Sequence, residues 1–171
     1  MSAIKVMNVS RNASHVRRIN KSSSASVNGL PTPETLGRNE IDSLADTSCV
    51  GKNWIPLLFT GDMVNVFGYS GVQHDSAIPL ATCATKIVSE SGSAYILICP
   101  QMLWFGTKLP RSLINPNQLR MSGTLVKDDP TTDGDQEFGL ITDNLFIPFQ
   151  TAGSTIYFKS ITPSCTEVEE L

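Results

Sequence analysis

Hydrophobic and polar positions are unevenly organised along this chain. Residues 1–33 show no apolar period, and from Glu40 onward short β-type runs alternate with turn residues. Glu40-Ile41-Asp42 reads as a strand end. Pro56-Leu57-Leu58-Phe59 is an apolar run closed by the turn pair Gly61-Asp62, and Val64 to Tyr69 alternates before Ser70-Gly71. Ile78 to Val88 is a long β-prone stretch, followed by a hairpin-like turn at Ser89-Glu90-Ser91-Gly92-Ser93. Ala94 to Cys99 is nearly all apolar, as in a strand buried on both faces, and Met102 to Gly106 is a further apolar piece. Gly139 to Thr142, Leu145 to Phe149 and Ser154 to Phe158 complete the set, separated by Asp143-Asn144 and Thr151-Ala152-Gly153.

Strands at this spacing, with few helical periods, predict an all-β barrel or sandwich. Two short helices are expected. One lies within residues 111–121, where Pro116 fits only a turn or a first-turn position. The other lies within residues 163–170, where Thr162 or Ser164 precedes an acidic first turn and the chain then stops, a truncated helix start.

Charge divides the chain at the same place. Residues 1–33 carry Lys5, Arg11, Arg17, Arg18 and Lys21 and no acid, whereas the rest holds sixteen acids against eight bases, a balance of −8. The leader reads as a disordered, Ser-rich basic segment, with a mitochondrial transit peptide as the alternative. The acidic remainder argues against direct nucleic-acid binding by the main domain. No apolar run approaches the length of a membrane helix, and the N-terminus lacks a secretory apolar core, so a cytoplasmic protein without membrane partners is expected. The two sequons at Asn8 and Asn12 are then chance matches.

Cys49, Cys83, Cys99 and Cys165 are widely spaced, with no Cys-x-x-Cys pair, and read as reduced thiols; neither metal nor cofactor is expected. Asp128 to Asp135 lacks the spacing and distal Glu of a calcium loop and reads as a solvated acidic loop. Trp54 and Trp104 flank apolar runs and are expected in the core. A triad using His74 with Cys49 or Cys83 is a minor option.

The chemistry concentrates in Asp42-Ser43-Leu44-Ala45-Asp46-Thr47. An Asp followed by a hydroxyl residue at a strand end, then Ala-Asp, is half of the active site of a retroviral-type aspartic protease. Such an enzyme needs two carboxylates sharing one proton: one activates water while the protonated one polarises the peptide carbonyl. One chain supplies one Asp, so two chains must pair. The competing reading makes Ser43-x-x-Asp46 a helix cap.

The stretch Asn39 to Gly51 resembles the protease region of copia-type retrotransposon polyproteins. Tyr95-Ile96-Leu97 and Leu109-Pro110-Arg111-Ser112-Leu113-Ile114-Asn115-Pro116-Asn117-Gln118-Leu119-Arg120, with Gly123 following, look like the segments that come next in that family. Phe146-Ile147-Pro148 and Gly153 to Phe158 are similar to its downstream strands, so the resemblance spans about residues 38–171. It implies a retropepsin-like barrel of short strands, with a protease domain over residues 34–127 and a β-hairpin extension over 128–171. The chain would act as a homodimer that cuts a Gag-Pol-like polyprotein. Asp42 carries over as the catalytic carboxylate and Ser43 as the hydroxyl beside it. Ala45 and Asp46 carry over to the part that holds the substrate main chain. A flap is expected near residues 64–71, with Gly68, Tyr69 and Gly71 at its tip. Leu44 departs from the Gly of ordinary retropepsins and from the His of the nearer relatives. The alternative is therefore a catalytically inactive β-module of the same fold, and a third option is an unrelated β-sandwich binding domain.

Overall fold

The computed structural model describes residues 16–18, 36–67, 74–131, 137–143 and 145–169. The chain is mostly β, as the alternating runs predict. In order it forms β1 (Val16–Arg18), β2 (Leu36–Ile41), β3 (Cys49–Gly51), β4 (Ile55–Phe67), β5 (His74–Val88), β6 (Ala94–Gly106) and β7 (Ser112–Ile114). Helix α1 (Pro116–Met121) follows, then β8 (Leu125–Lys127), β9 (Gly139–Ile141), β10 (Phe146–Pro148), β11 (Gln150–Ala152), β12 (Thr155–Ile161) and α2 (Cys165–Glu169).

The main sheet runs β1-β6-β3-β7-β2-β12-β5-β4. β5 also pairs with β6, over Leu80↔Leu103 to Val88↔Ala94. The path β6-β3-β7-β2-β12-β5 therefore returns to β6 and the sheet closes on itself, which leaves fewer free strand edges. β8, β9 and β10 form a small separate sheet in the order β10-β9-β8. Its Val126, Leu140 and Ile147 join Val50, Trp54, Met102, Ile114 and Phe158 in one buried core.

Several expectations change in detail. The turn predicted at Gly61-Asp62 is absorbed into β4, because β5 keeps pairing across a shift of register between Phe59 and Met63. The two apolar pieces either side of Pro100 are likewise one strand. Between Ala81↔Met102 and Cys83↔Cys99 the β6 side carries one extra residue, and Gln101 takes a φ of 57° there, a bulge that accommodates Pro100. Val16–Arg18, inside the leader expected to be disordered, pairs antiparallel with Tyr95–Leu97 of β6. Residues 128–171, expected as an extension, supply β12, which pairs with β2 from Tyr157↔Glu40 to Ile161↔Leu36 and so shares the main core.

That docking rests on a buried polar hub. Asn39, Asn53, Thr85, Ser112 and Ser160 are all buried. Asn39 Nδ2 donates to Ser160 Oγ at 2.9 Å, while its Oδ1 accepts from Asn53 Nδ2 at 2.9 Å and Trp54 Nε1 at 2.7 Å. Thr85 Oγ1 donates to the Asn53 carbonyl at 2.7 Å, and Ser112 Oγ donates to Asn53 Oδ1 at 2.9 Å. Buried amides are tolerated when their partners are present, and here the partners come from β2, β5, β7 and β12.

Candidate functional site

Asp42 sits just past the end of β2. Its N–H donates to the Ile114 carbonyl of β7 at 3.0 Å, extending the parallel β2–β7 pairing by one rung. One carboxylate oxygen, Oδ1, accepts the Leu44 N–H at 2.9 Å, an Asx turn that reverses the chain immediately. Residues 42–48 are turns and bends, so Ser43–Asp46 opens no helix and the capping reading fails. Ser43 and Asp46 are exposed, Ala45 is half-buried, and the Leu44 side chain is 88% exposed.

The loop then descends into β3, and β7 lies between β2 and β3. The strand that the Asp42 loop spans is thus one that arrives some 70 residues later, and it fastens the loop from beneath. Asn115, the N-cap of α1, is the main fastener. Its Oδ1 accepts from Asn117 N at 2.8 Å and Gln118 N at 3.3 Å, while Pro116 fills the first helical position. Its Nδ2 donates to the Ala45 carbonyl at 2.6 Å, and its N–H donates to Ser48 Oγ at 2.9 Å. Gln118 accepts from the Ser48 N–H through Oε1 and donates from Nε2 to the Gln101 carbonyl, both at 2.9 Å. The bulge in β6 therefore presents a carbonyl that locks the same assembly. Sequence reasoning missed Asn115, Gln118 and Ser48 as supports, although Asn-Pro is a helix-start signal.

Apolar surface adjoins the loop. Ile78, Leu80 and Leu103 form a second buried cluster, with Cys49, Val64, Val66 and Phe105 packed against it. Burial, and secondarily the Asp42 carboxylate, push the Cys49 thiol up to about 11. The cluster thus begins next to Asp42 and continues under the arm made by β4 and β5. β4 ends the strand path and carries exposed Leu58, Phe59, Met63 and Phe67, and the Phe59 ring meets Trp104 edge-on at 5.8 Å. The expected flap tip, Gly68, Tyr69 and Gly71, lies outside the described residues.

The triad alternatives are not assembled. Cys49 pairs with Leu103, which pairs with Leu80, and His74 is six residues from Leu80 along β5, about 20 Å of strand. Cys83 is nine residues from His74 on the same strand, about 30 Å. Both Cys83 and Cys99 are buried and pushed up to about 12 by desolvation, the wrong direction for a nucleophile. Among the described residues, no helix is long and apolar enough to cross a membrane.

No protein-family model, curated protein or solved structure matches this chain.

Proposed function

We propose that this chain is a retropepsin-like aspartic endopeptidase that works as a homodimer on polypeptide substrates of Gag-Pol type, each subunit supplying one Asp42. One observation carries the reading. Two of the stretches that bear the resemblance, residues 39–51 and 109–120, lie in direct contact, joined by Asp42 N to Ile114 O, Asn115 to Ala45 and Ser48, and Gln118 to Ser48. The parallel β2–β7 pairing brings them together, as a shared catalytic loop would require.

The geometry also suits the chemistry. The Leu44 N–H orients the Asp42 carboxyl by holding Oδ1, so Oδ2 is the oxygen to share a proton with a second subunit's carboxyl. Ser43, beside it and exposed, leaves its hydroxyl to bond across the dimer axis and stiffen the loop there. Asp46, also exposed, meets the substrate main chain next to Ala45. The exposed apolar side chains of β4, Leu58, Phe59, Met63 and Phe67, are the surface offered to substrate side chains.

A second reading has its own observation. Leu44 projects a branched apolar side chain two residues from Asp42, where the resembling proteins have Gly or His, and this favours an inactive β-module of the same fold. Sedimentation of the full chain, with peptide cleavage measured between about pH 4 and 6, separates the two. A dimer whose cleavage falls to background in Asp42→Asn is the expected result. A strict monomer without cleavage, or cleavage unchanged in Asp42→Asn, refutes the protease.

A further inference from the structure

The rim of the sheet opposite the Asp42 loop carries a different chemistry. Leu36, Gly37, Arg38, Lys52, Pro110, Arg111 and Lys159 line an open groove of about 240 Å³. Arg38 and Lys159 are direct cross-strand partners on β2 and β12, and Lys52 and Arg111 close the groove from the β3–β4 turn and the start of β7. Residues 34–171 hold only eight cations against sixteen acids, and four of the eight meet in this groove. Glu40 is the acid seen to pair with them, at 3.1 Å from Arg111 and 3.5 Å from Arg38. Among the described residues, four cations against that one acid leave +3, whereas residues 34–171 balance at −8.

Like charges on adjacent strands repel, so their gathering against the charge of the surrounding domain implies a counter-charge. Arg38 is also held in place before any ligand arrives. Its guanidinium lies over the Tyr157 ring at 3.7 Å, and its Nε is buried with no hydrogen-bond partner among the described residues. A buried N–H without an acceptor is costly and is relieved by an oxygen ligand. Two guanidinium forks and two ammonium groups match a tetrahedral dianion better than a single carboxylate, which would leave about two charges unmatched.

We propose that this groove is a binding site for a phosphate-type oxyanion, either free phosphate or a phosphomonoester. Arg38 is its fixed fork, and Arg111, Lys52 and Lys159 are its exposed cations. The site is separate from Asp42, which lies just past the end of β2 and four residues from Arg38, about 13 Å of extended chain. It therefore stands whether or not the protease reading does.

The experiment is calorimetric titration of the full chain with inorganic phosphate, and separately with a phosphoserine peptide and its unphosphorylated counterpart, against chloride at matched ionic strength. Saturable binding of phosphate is expected, weakened at least about tenfold, about 1.4 kcal/mol, in the Arg111→Gln/Lys159→Gln double variant. Both of these side chains are exposed, and the variant's unfolding temperature in phosphate-free buffer reports that the fold is intact. If the phosphoserine peptide binds more tightly than free phosphate, the source is a phosphorylated chain; equal binding assigns the site to the free ion. Binding that fails to saturate for both, equal binding of the unphosphorylated peptide, or full affinity in the double variant overturns the proposal.

Discussion

Replacing Asn115 tests the link between fold and site, because this residue makes two contacts that substitutions can separate. Its Oδ1 caps α1 through Asn117 N and Gln118 N, and its Nδ2 holds the Ala45 carbonyl of the Asp42 loop at 2.6 Å. Asn115→Ala removes both. Losing the cap costs about 1 kcal/mol, and stranding the part-buried Ala45 carbonyl costs about 1–2 kcal/mol more, giving about 2–3 kcal/mol in all. For a chain of this length that corresponds to a fall in unfolding temperature of about 4–12 °C. Asn115→Asp keeps an acceptor for the cap and adds a favourable charge at the helix N-terminus, but it turns a carboxylate toward the Ala45 carbonyl. It should cost about 1–2 kcal/mol, nearly all from the loop. Urea unfolding at neutral pH measures both, and peptide cleavage by the same samples reports on the loop. Cleavage should fall in both variants, including Asn115→Asp, whose helix remains capped. A wild-type stability for Asn115→Asp would mean that the Ala45 contact contributes nothing, and the reasoning that α1 fastens the loop would fail.

Thiol labelling offers an independent check on the core. Brief alkylation of the native chain should mark Cys165, which is exposed, and leave Cys83 and Cys99 unmodified, since burial pushes both thiols up to about 12; mass spectrometry of the digested protein reads this directly, and early labelling of Cys83 would contradict the packing. Gly51→Ala should destabilise the chain by about 1–3 kcal/mol in chemical denaturation, because an added Cβ would run into the Leu109 backbone carbonyl, which cannot move as a side chain can. Glu167 governs acid sensitivity at α2. Burial alone would raise its carboxyl, but the Ser164 N–H and the Lys86 ammonium at 3.2 Å outweigh that and hold it below the usual range. Its folded value is depressed, so its contribution is complete above about pH 4.5 and is lost as pH falls through the folded value. Glu167→Gln should therefore lose about 1 kcal/mol at pH 7, because Lys86, 5% exposed, gives up one of its partners, and should approach wild type in acid; parallel stability–pH curves would exclude this role.

What was legible in the sequence is what local pattern encodes. The long apolar run at 94–99 could only be a strand buried on both faces, and it is central to the sheet. Ser164 and Glu167 announced α2, where they form a reciprocal capping box, Ser164 N to Glu167 Oε2 at 2.8 Å and Glu167 N to Ser164 Oγ at 3.3 Å. The strands β3 and β8 were not anticipated because, unlike the equally short β9 and β10, they lie in no longer apolar run. Gly61-Asp62 is chemically a turn pair, and only the partner strand β5, supplying hydrogen bonds across a bulge, keeps β4 running through it. The burial of Asn39 and Asn53 was not legible, because Ser160, 121 residues from Asn39 and 107 from Asn53, provides the hydroxyl that satisfies them.

The candidate site follows the same division. Asp42 could be picked out because a carboxylate, a hydroxyl and Ala-Asp in sequence is a chemical pattern in one short stretch. The residues that make its loop a defined object could not, because Asn115, Gln118 and the Gln101 carbonyl become neighbours only when β7 enters between β2 and β3. The two polar networks meet through that short strand. Ser112 joins the Asn39 hub by bonding Asn53 Oδ1, while Ile114, two residues on, accepts from the Asp42 N–H. Displacement of β7 would therefore act on both networks at once. Loosening the hub by Asn53→Ala should disturb the Asp42 loop even though Asn53 touches none of residues 42–48 through its side-chain amide, whose bonds go to Asn39, Ser160 and Ser112. The loop is fastened to a strand that a buried amide cluster sets, so the positions that control the candidate chemistry extend well beyond the stretch that first suggested it.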